Sequence, residues 1–426
     1  MRVLVIGNGA REHALAWALA RDPETDKLIC APGNPGTAQL ATNVPVEVSD
    51  PSALLALAER ESAGLTVVGP EVPLAAGVAD RFAAAGRLLI GPTRVAAELE
   101  SSKAFAKEFM ARRRIPTARH RLATSADEAK TLLSTGEFGF PVVLKADGLA
   151  AGKGVVVAPD RQTALAAVEA MMVERRFGAA GARIVVEEYL EGREASFFVL
   201  TDGTRVVTLP SAEDHKRALD GDRGPNTGGM GAFAPSPLID EPVGRRVLDE
   251  IVLPTLDGMR AEGREYRGFL YVGLMITRDG PKVVEFNVRL GDPETQVVLP
   301  MIEGRLLPLF ESAARGRLVV DRVRTSADSL VGVVLASRGY PDHYEKGKPI
   351  AGLDEAAACP GALVFHAGTA VCDGRVVTAG GRVVTVVGRG ATLGDAIGTA
   401  YGAAAHISFE GLSMRRDIGA KALEAR

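Results

Sequence analysis

The sequence predicts a multidomain chain of α/β and α+β type, and three observations carry that expectation. The first hundred residues alternate short apolar strands with alanine-rich helices. From Ser101 onward the strand segments suit an antiparallel sheet with long helices to cover it. After about Val323 a smaller α+β unit begins, with strand segments about a Gly-Gly pair and a late helix. A chain of 426 residues is also too long for one ordinary core.

In the first unit, residues 3–6, 27–31, 66–68 and 88–90 read as strands, and 13–21, 51–63 and 74–85 as helices. Such βαβ alternation implies a doubly wound parallel sheet, whose ligands bind at the carboxyl ends of the strands. The loops there, 7–11, 32–36 and 69–73, all carry glycine or proline. In the second unit a helix over 103–114 is broken by Pro116. Strands over 141–144 and 155–158 flank a glycine-rich loop, followed by a helix over 165–175 and a strand over 183–188. Strands over 196–200, 205–209, 271–277 and 282–286 predict an antiparallel sheet covered by helices over 243–262 and 300–315. In the third unit, 376–378 and 383–387 predict a β-hairpin about the Gly-Gly pair. Thr392 and Asp395 predict a capping box for a helix over 393–406.

Composition excludes several classes. The apolar fraction is 46%, the charged fraction 24% and the formal net charge −3, which argues against a nucleic-acid binder. Any anionic ligand therefore needs a local site. Cys30, Cys359 and Cys372 have neither disulfide-framework nor zinc spacing, and read as buried thiols in a reducing compartment. No apolar run suits a signal peptide or a membrane span, so a cytoplasmic protein is expected.

Four segments carry chemistry. Gly7-Asn8-Gly9 follows the first strand, but Glu12 stands where a dinucleotide fingerprint needs its third glycine, and no acid ends the second strand. The turn is either a plain one or a phosphate site with Arg11 adding charge. Residues 148–154 resemble a P-loop but are one residue short, with Gly154 in place of the Ser or Thr. With strands on both sides, the loop is either a loose hairpin or a flap whose amides cover phosphates, with Lys145 beside it. Glu187 and Glu194 lie about the end of a strand, where main-chain groups and a carboxylate can read a base and a ribose. Glu285, Asn287 and Arg289 share one strand face, with Val284, Phe286 and Val288 behind them. That face is either a salt-bridged surface or a Mg²⁺–phosphate site. The polar stretch 213–231 reads as a long loop, with His215 as a hydrogen-bonding loop histidine.

Together these segments resemble the phosphoribosylamine–glycine ligase family of ATP-grasp enzymes. The resemblance runs along nearly the whole chain in GNGAREH, APGNPG, VGPEVPL, SKAFAKEFM, PVVLKADGLAAGKGV, VVEEYLEGREAS, EDHKR, NTGGMGA and VEFNVRLGDPETQ. It implies an N-terminal domain over 1–102, a central ATP-grasp domain over 103–323 with a lid at about 119–190, and a C-terminal domain over 324–426. It implies ATP-dependent joining of glycine to 5-phosphoribosylamine through glycyl phosphate, by a monomer that binds neither nucleic acid nor membrane. By position, Lys103, Lys145, Gly152, Lys153 and Gly154 would hold phosphates, and Glu187, Leu190 and Glu194 adenosine. Glu285 and Asn287 would ligate Mg²⁺, or Mn²⁺ in its place. Asn8, Gly9, Arg11, Asn34, Gly36, Glu71, Asp214, Lys216, Gly229 and Arg289 would form the substrate pocket, with Lys145, Arg289 and Asp292 catalytic. Ala10, Glu213 and Leu290 depart from the family's usual glycine, glutamine and phenylalanine. Rival readings are an ATP-grasp enzyme for another acid and amine, or for bicarbonate, and a non-catalytic nucleotide-binding protein.

Overall fold

The apolar run Val3-Leu4-Val5-Ile6 is stable as a strand only where both faces are covered. In the computed structural model, which describes residues 1–149, 154–320 and 322–424, that is its situation. Arg2–Gly7 is the middle strand of a parallel sheet, flanked by Lys27–Pro32 and Leu65–Val68, with Thr42–Asn43 and Leu89–Ile90 at the edges. Val3 and Val5 face a core with Ala14, Leu15 and Leu19 of the helix Ala10–Ala20. Leu4 and Ile6 face the other way, toward Leu54, Leu57 and Phe82. The helix expected over 74–85 is divided into Glu71–Ala75 and Val78–Ala84 by Gly77, whose φ of 92° is left-handed.

The expected lid segment forms its own antiparallel sheet, ordered His120–Ala123, Ile184–Glu188, Val142–Ala146, Val155–Ala158. Val142, Leu144, Ala146, Ile184 and Val186 bury one face with Ala129, Leu133 and Val168 of two helices. Period-two alternation therefore turns Lys145 and Glu187 to the opposite face. The central sheet runs Val206–Thr208, Arg193–Thr201, Gly268–Thr277, Gly280–Asn287, all antiparallel. Its covering helix is not continuous. A π segment, Leu248–Val252, lies between Glu241–Val247 and Leu253–Ala261, directly before Pro254, which cannot donate to a regular ladder.

Two expectations for the later chain fail. The stretch 213–231 is not a long loop: it holds strands Glu213–Asp214 and Gly231–Ala234 and the two-stranded hairpin Arg217–Leu219/Arg223–Asn226. Glu213–Asp214 and Gly231–Ala234 continue the sheet of the third unit, in the order Glu213–Asp214, Gly231–Ala234, Ser329–Ser337, Arg382–Gly390, Ala362–His366. Nor do 376–378 and 383–387 pair with each other. Arg375–Thr378 pairs with Thr369–Cys372, while Arg382–Gly390 lies between Ser329–Ser337 and Ala362–His366. The glycine pair serves close approach instead of a turn, since a Cβ on Gly368 would come within 2.5 Å of Gly380 Cα. The capping box is as expected: Asp395 N–H donates to Thr392 Oγ1 and Thr392 N–H to Asp395 Oδ2, opening the helix Leu393–Ala404. Of the three cysteines only Cys30 is buried, its thiol pushed up to about 12 by burial, and Cys372 is exposed. No described helix is long and apolar enough to cross a membrane.

Histidines join the first and last units. His366 N–H donates to His13 Nδ1 at 2.8 Å. Burial holds His13 down to about 3 and His366 to about 4, and holds His215, below, to about 4. The unfolded chain thus takes up protons near 6.5 that the folded chain refuses, so stability is complete above 6.5 and declines as pH falls toward 4. Each histidine contributes a slope of up to about 1.4 kcal/mol per pH unit in that window. In His13→Asn, whose Oδ1 can still accept the His366 N–H, urea unfolding between pH 6.5 and 4.5 is expected to show a shallower slope by one proton.

Candidate active site

The candidate site lies where the sheet that holds Val142–Ala146 meets the strand Gly280–Asn287. Lys145 Nζ bonds Glu187 Oε2 at 3.0 Å and donates to the Val284 carbonyl at 2.9 Å. The carbonyl is free because the strand bulges: Gly273 pairs with Glu285 but Leu274 with Val283, leaving Val284 outside the register. This bulge also corrects the expected core. Val283, not Val284, is buried with Phe286 and Val288.

Glu187 is shared with Lys107, whose Nζ lies 3.1 Å from Oε2 and donates to Thr117 Oγ1 at 2.8 Å. Burial holds the Lys107 ammonium down to about 8. Glu187 Oε1 is buried with no hydrogen-bond partner among the described residues, a costly arrangement that a ligand donor would relieve. Lys103, lowered by burial, donates to the Gly148 carbonyl at 2.9 Å. Gly154 accepts from Ala146 N–H at 2.8 Å, whereas Gly152 and Lys153 lie outside the described residues. Leu190 is half-buried just past the end of Ile184–Glu188.

Lys216 links the hairpin region to these strands. Its Nζ pairs with Glu194 at 2.7 Å and lies 4.0 Å from both Asp214 Oδ1 and Glu285 Oε1. Burial pushes Asp214 up to about 8, with Lys216 opposing and Glu294, Glu194 and Glu285 reinforcing. Burial would raise Glu285 too, but Lys216, Lys145, Lys103 and Arg289 overcome it and hold the carboxylate low. Glu213, the departure beside Asp214, is tied back to Arg193 at 3.2 Å and to Ser236 Oγ at 2.8 Å.

Arg289, just past the end of the strand Gly280–Asn287, gathers several charges. It pairs with Glu100 at 2.6 Å and Glu71 at 3.3 Å, and donates to Asn287 Oδ1 at 3.2 Å. Burial raises Glu100 to about 7, while Arg289 and Arg11 overcome burial and take Glu71 to about 2. Asp292 accepts from Gln296 at 2.7 Å and pairs with Arg382 at 2.8 Å. Arg382 also donates to the Gly228 carbonyl and the Asp292 carbonyl, at 2.6 and 2.7 Å. Gly229 has φ 107°, and a Cβ there would lie 2.3 Å from Pro293 Cδ, so only glycine lets the two loops meet.

The first-unit loops are held mainly by their own bonds. Gly9 N–H donates to Glu12 Oε2 at 2.6 Å, so a carboxylate of the chain occupies the turn that could have taken a phosphate. Arg11 is buried and donates to Glu12 and the Leu290 carbonyl. Asn34 donates to the Asn8 and His366 carbonyls, both at 2.9 Å, and accepts from the N–H groups of Gly36 and Thr37. Gly36 lies against His13 and His366. Lys107, Glu100 and Arg382 escaped the sequence reading. Lys107 stands within SKAFAKEFM, but nothing local pairs Glu100 with Arg289, 189 residues on, or Arg382 with Asp292.

Among the described residues no three His, Cys, Asp or Glu side chains converge as a metal site. Glu285 and Asn287 offer two hard oxygens, which suits a small divalent cation that keeps waters and phosphate oxygens as its other ligands. Gly273 opposite Glu285 leaves the room, since a Cβ there would lie 3.1 Å from Glu285 Cγ.

Comparison with known proteins identifies the family. Residues 1–100, 101–295 and 330–421 match the N, ATP-grasp (A) and C domains of phosphoribosylglycinamide synthetase. A phosphoribosylamine–glycine ligase of Xylella fastidiosa is 51% identical over 99% of this chain and 98% of its own length. The crystal structure of phosphoribosylamine–glycine ligase from Thermotoga maritima superposes with a TM-score of 0.87 at 37% identity, covering 98% of this chain and all of that one. Biotin carboxylase from Campylobacter jejuni, as its β-γ-ATP complex, shares the fold alone, with a TM-score of 0.73 at 16% identity over 97% of this chain and 93% of that one. The chain belongs to the phosphoribosylglycinamide synthetase family of ATP-grasp ligases.

Proposed function

We infer that this enzyme joins glycine to 5-phosphoribosylamine at the expense of ATP, giving glycinamide ribonucleotide, ADP and phosphate in purine synthesis. One observation carries the reading: the lid's Lys145 meets the strand of Glu285 and Asn287, 2.9 Å from the Val284 carbonyl. A triphosphate bound beside this contact would meet the Lys145 ammonium together with the hard oxygen donors of Glu285 and Asn287.

The reaction then needs no protein nucleophile. A glycine carboxylate oxygen attacks the γ-phosphorus, and the P–O bond to ADP breaks. The amine nitrogen attacks the resulting acyl carbon, the C–O bond to phosphate breaks, and the nitrogen loses a proton. Catalysis rests on alignment and on charge placed where the phosphoryl group migrates. Lys103, Lys145, Gly152, Lys153 and Gly154 would hold the phosphates, and Arg289 with Asp292 the reacting carboxylate. Glu187, with Oε1 unpartnered, Leu190 and Glu194 would receive adenosine. Mg²⁺, or Mn²⁺, on Glu285 and Asn287 would neutralise phosphate charge. Asp214, Lys216, Glu71 and Gly229 would line the pocket. Asn8, Gly9, Arg11, Asn34 and Gly36 would shape it through the bonds described above. We further propose a cytoplasmic monomer with domains over 1–102, 103–323 and 324–426 and a lid at about 119–190.

Phosphate release is expected only when ATP, Mg²⁺, glycine and freshly generated phosphoribosylamine are all present. Release with bicarbonate or D-alanine in place of glycine, at a comparable rate, would assign a different acid. ATP binding without turnover in the full mixture would make the protein a nucleotide-binding one.

A further inference from the structure

Residues 415–421 lie outside the site just described, yet they hold the bulkiest of the wholly buried side chains, Arg415, at 1% exposure. A guanidinium is stable there only if its donors are met. Nε and Nη2 each donate to an Asp417 carboxylate oxygen at 2.7 Å, a fork-to-fork pair that fixes direction as well as charge. Nη1 reaches across to Asp222 Oδ1 at 2.8 Å and to the Arg217 carbonyl at 3.2 Å.

What this cluster grips is the hairpin Arg217–Leu219/Arg223–Asn226. Gly221 N–H donates to Asp417 Oδ2 at 2.9 Å, Arg416 N–H to Asp220 Oδ1 at 2.8 Å, and Lys421 pairs with Asp222. A two-stranded hairpin is marginal by itself, and this one leaves Leu219 53% exposed, so it has little core of its own. The grip continues beneath the hairpin. Gly419 N–H donates to His215 Nε2 at 3.3 Å, and Ile418 packs on Gly231. The base of the hairpin is closed by Thr227, whose N–H and Oγ1 both donate to the Lys216 carbonyl, at 2.7 and 2.8 Å.

Lys216 is thus fixed through its backbone by the hairpin, while its ammonium meets residues of other strands, Glu194 and Glu285. We propose that Arg415 is a positioning residue of the amine-substrate pocket: with Asp417 it sets the hairpin, and the hairpin sets Lys216 and Asp214. This rests on the reading above that Asp214 and Lys216 meet the substrate.

The full-length enzyme is assayed in reverse, with glycinamide ribonucleotide, ADP and phosphate, which avoids handling the amine. In Arg415→Lys, which keeps the charge and loses the fork, and in Asp417→Asn, KM for glycinamide ribonucleotide is expected to rise tenfold or more. KM for ADP should rise less, by threefold at most, since Glu194 shares Lys216 while Glu187 and Leu190 do not, and amide exchange over 217–226 should quicken while the lid strands keep their rates. If Arg415→Lys fails to fold, Asp222→Asn and Lys421→Met carry the test, since those side chains are 41% and 61% exposed, with a threefold rise expected in each. Lys216→Met is the reference. A rise in KM with Lys216→Met but none with the Arg415 and Asp417 variants, despite faster hairpin exchange, overturns the positioning role. No rise with Lys216→Met overturns the assignment of the pocket itself.

Discussion

Lys145→Met is expected to lower kcat by about 10²- to 10³-fold, the loss typical of removing one preorganised charge from a phosphoryl or acyl transfer site. The fold should persist. Lys145 is one of two ammonium groups on Glu187, and Lys107 remains 3.1 Å from the same oxygen, so no buried carboxylate is stranded. Methionine also fills much of the volume of the buried lysine stem. Glycine-dependent ADP release reports the activity, and the urea midpoint reports the fold. Turnover within threefold of the parent, at an unchanged midpoint, would remove Lys145 from the chemistry.

Glu285→Ala is expected to have the second large effect, and on a different variable. The substitution removes one of two hard oxygen donors but leaves Lys216 its closer partner, Glu194, at 2.7 Å. The Mg²⁺ concentration for half-maximal rate should rise by at least about tenfold, since even outer partners of metal ligands are worth about 10- to 100-fold in affinity. Raising Mg²⁺ should recover part of the lost rate, and Asn287→Ala should show the same dependence more weakly. Calorimetric titration of Mg²⁺ into the ADP complex separates this from a folding defect. A parent-like Mg²⁺ dependence would move the metal elsewhere.

Much of the architecture is legible because local backbone geometry writes it into residue order. Val3–Ile6 could be read as a strand of a parallel sheet because an unbroken apolar run needs cover on both faces, which it has. The capping box of Thr392 and Asp395 could be read because its partners are three residues apart. The failures have physical causes too. Gly380-Gly381 looks like a hairpin turn, yet glycine also permits backbones to touch, and here Gly368 comes close enough to require it. Polarity and glycine made 213–231 look like a loop because its strands are short, and Gly231–Ala234, which pairs with Glu213–Asp214, takes its other partner from Ser329–Ser337, about a hundred residues later. Strict alternation placed Val284 in the core, and one bulge moved Val283 there instead.

By itself the residue order determined the three-unit organisation, the strand that aligns Glu285 with Asn287, and the strand that carries Lys145. These follow from periodicity and spacing, which act over a few residues. Only the tertiary structure decided that Lys107 shares Glu187, that Glu100 holds Arg289, and that Arg382 ties Asp292 to Gly228. A buried charge takes whichever partner the packed fold brings within about 3 Å, because leaving it unpaired costs several kcal/mol. That partner is chosen by how sheets and domains dock, at sequence separations no local pattern records.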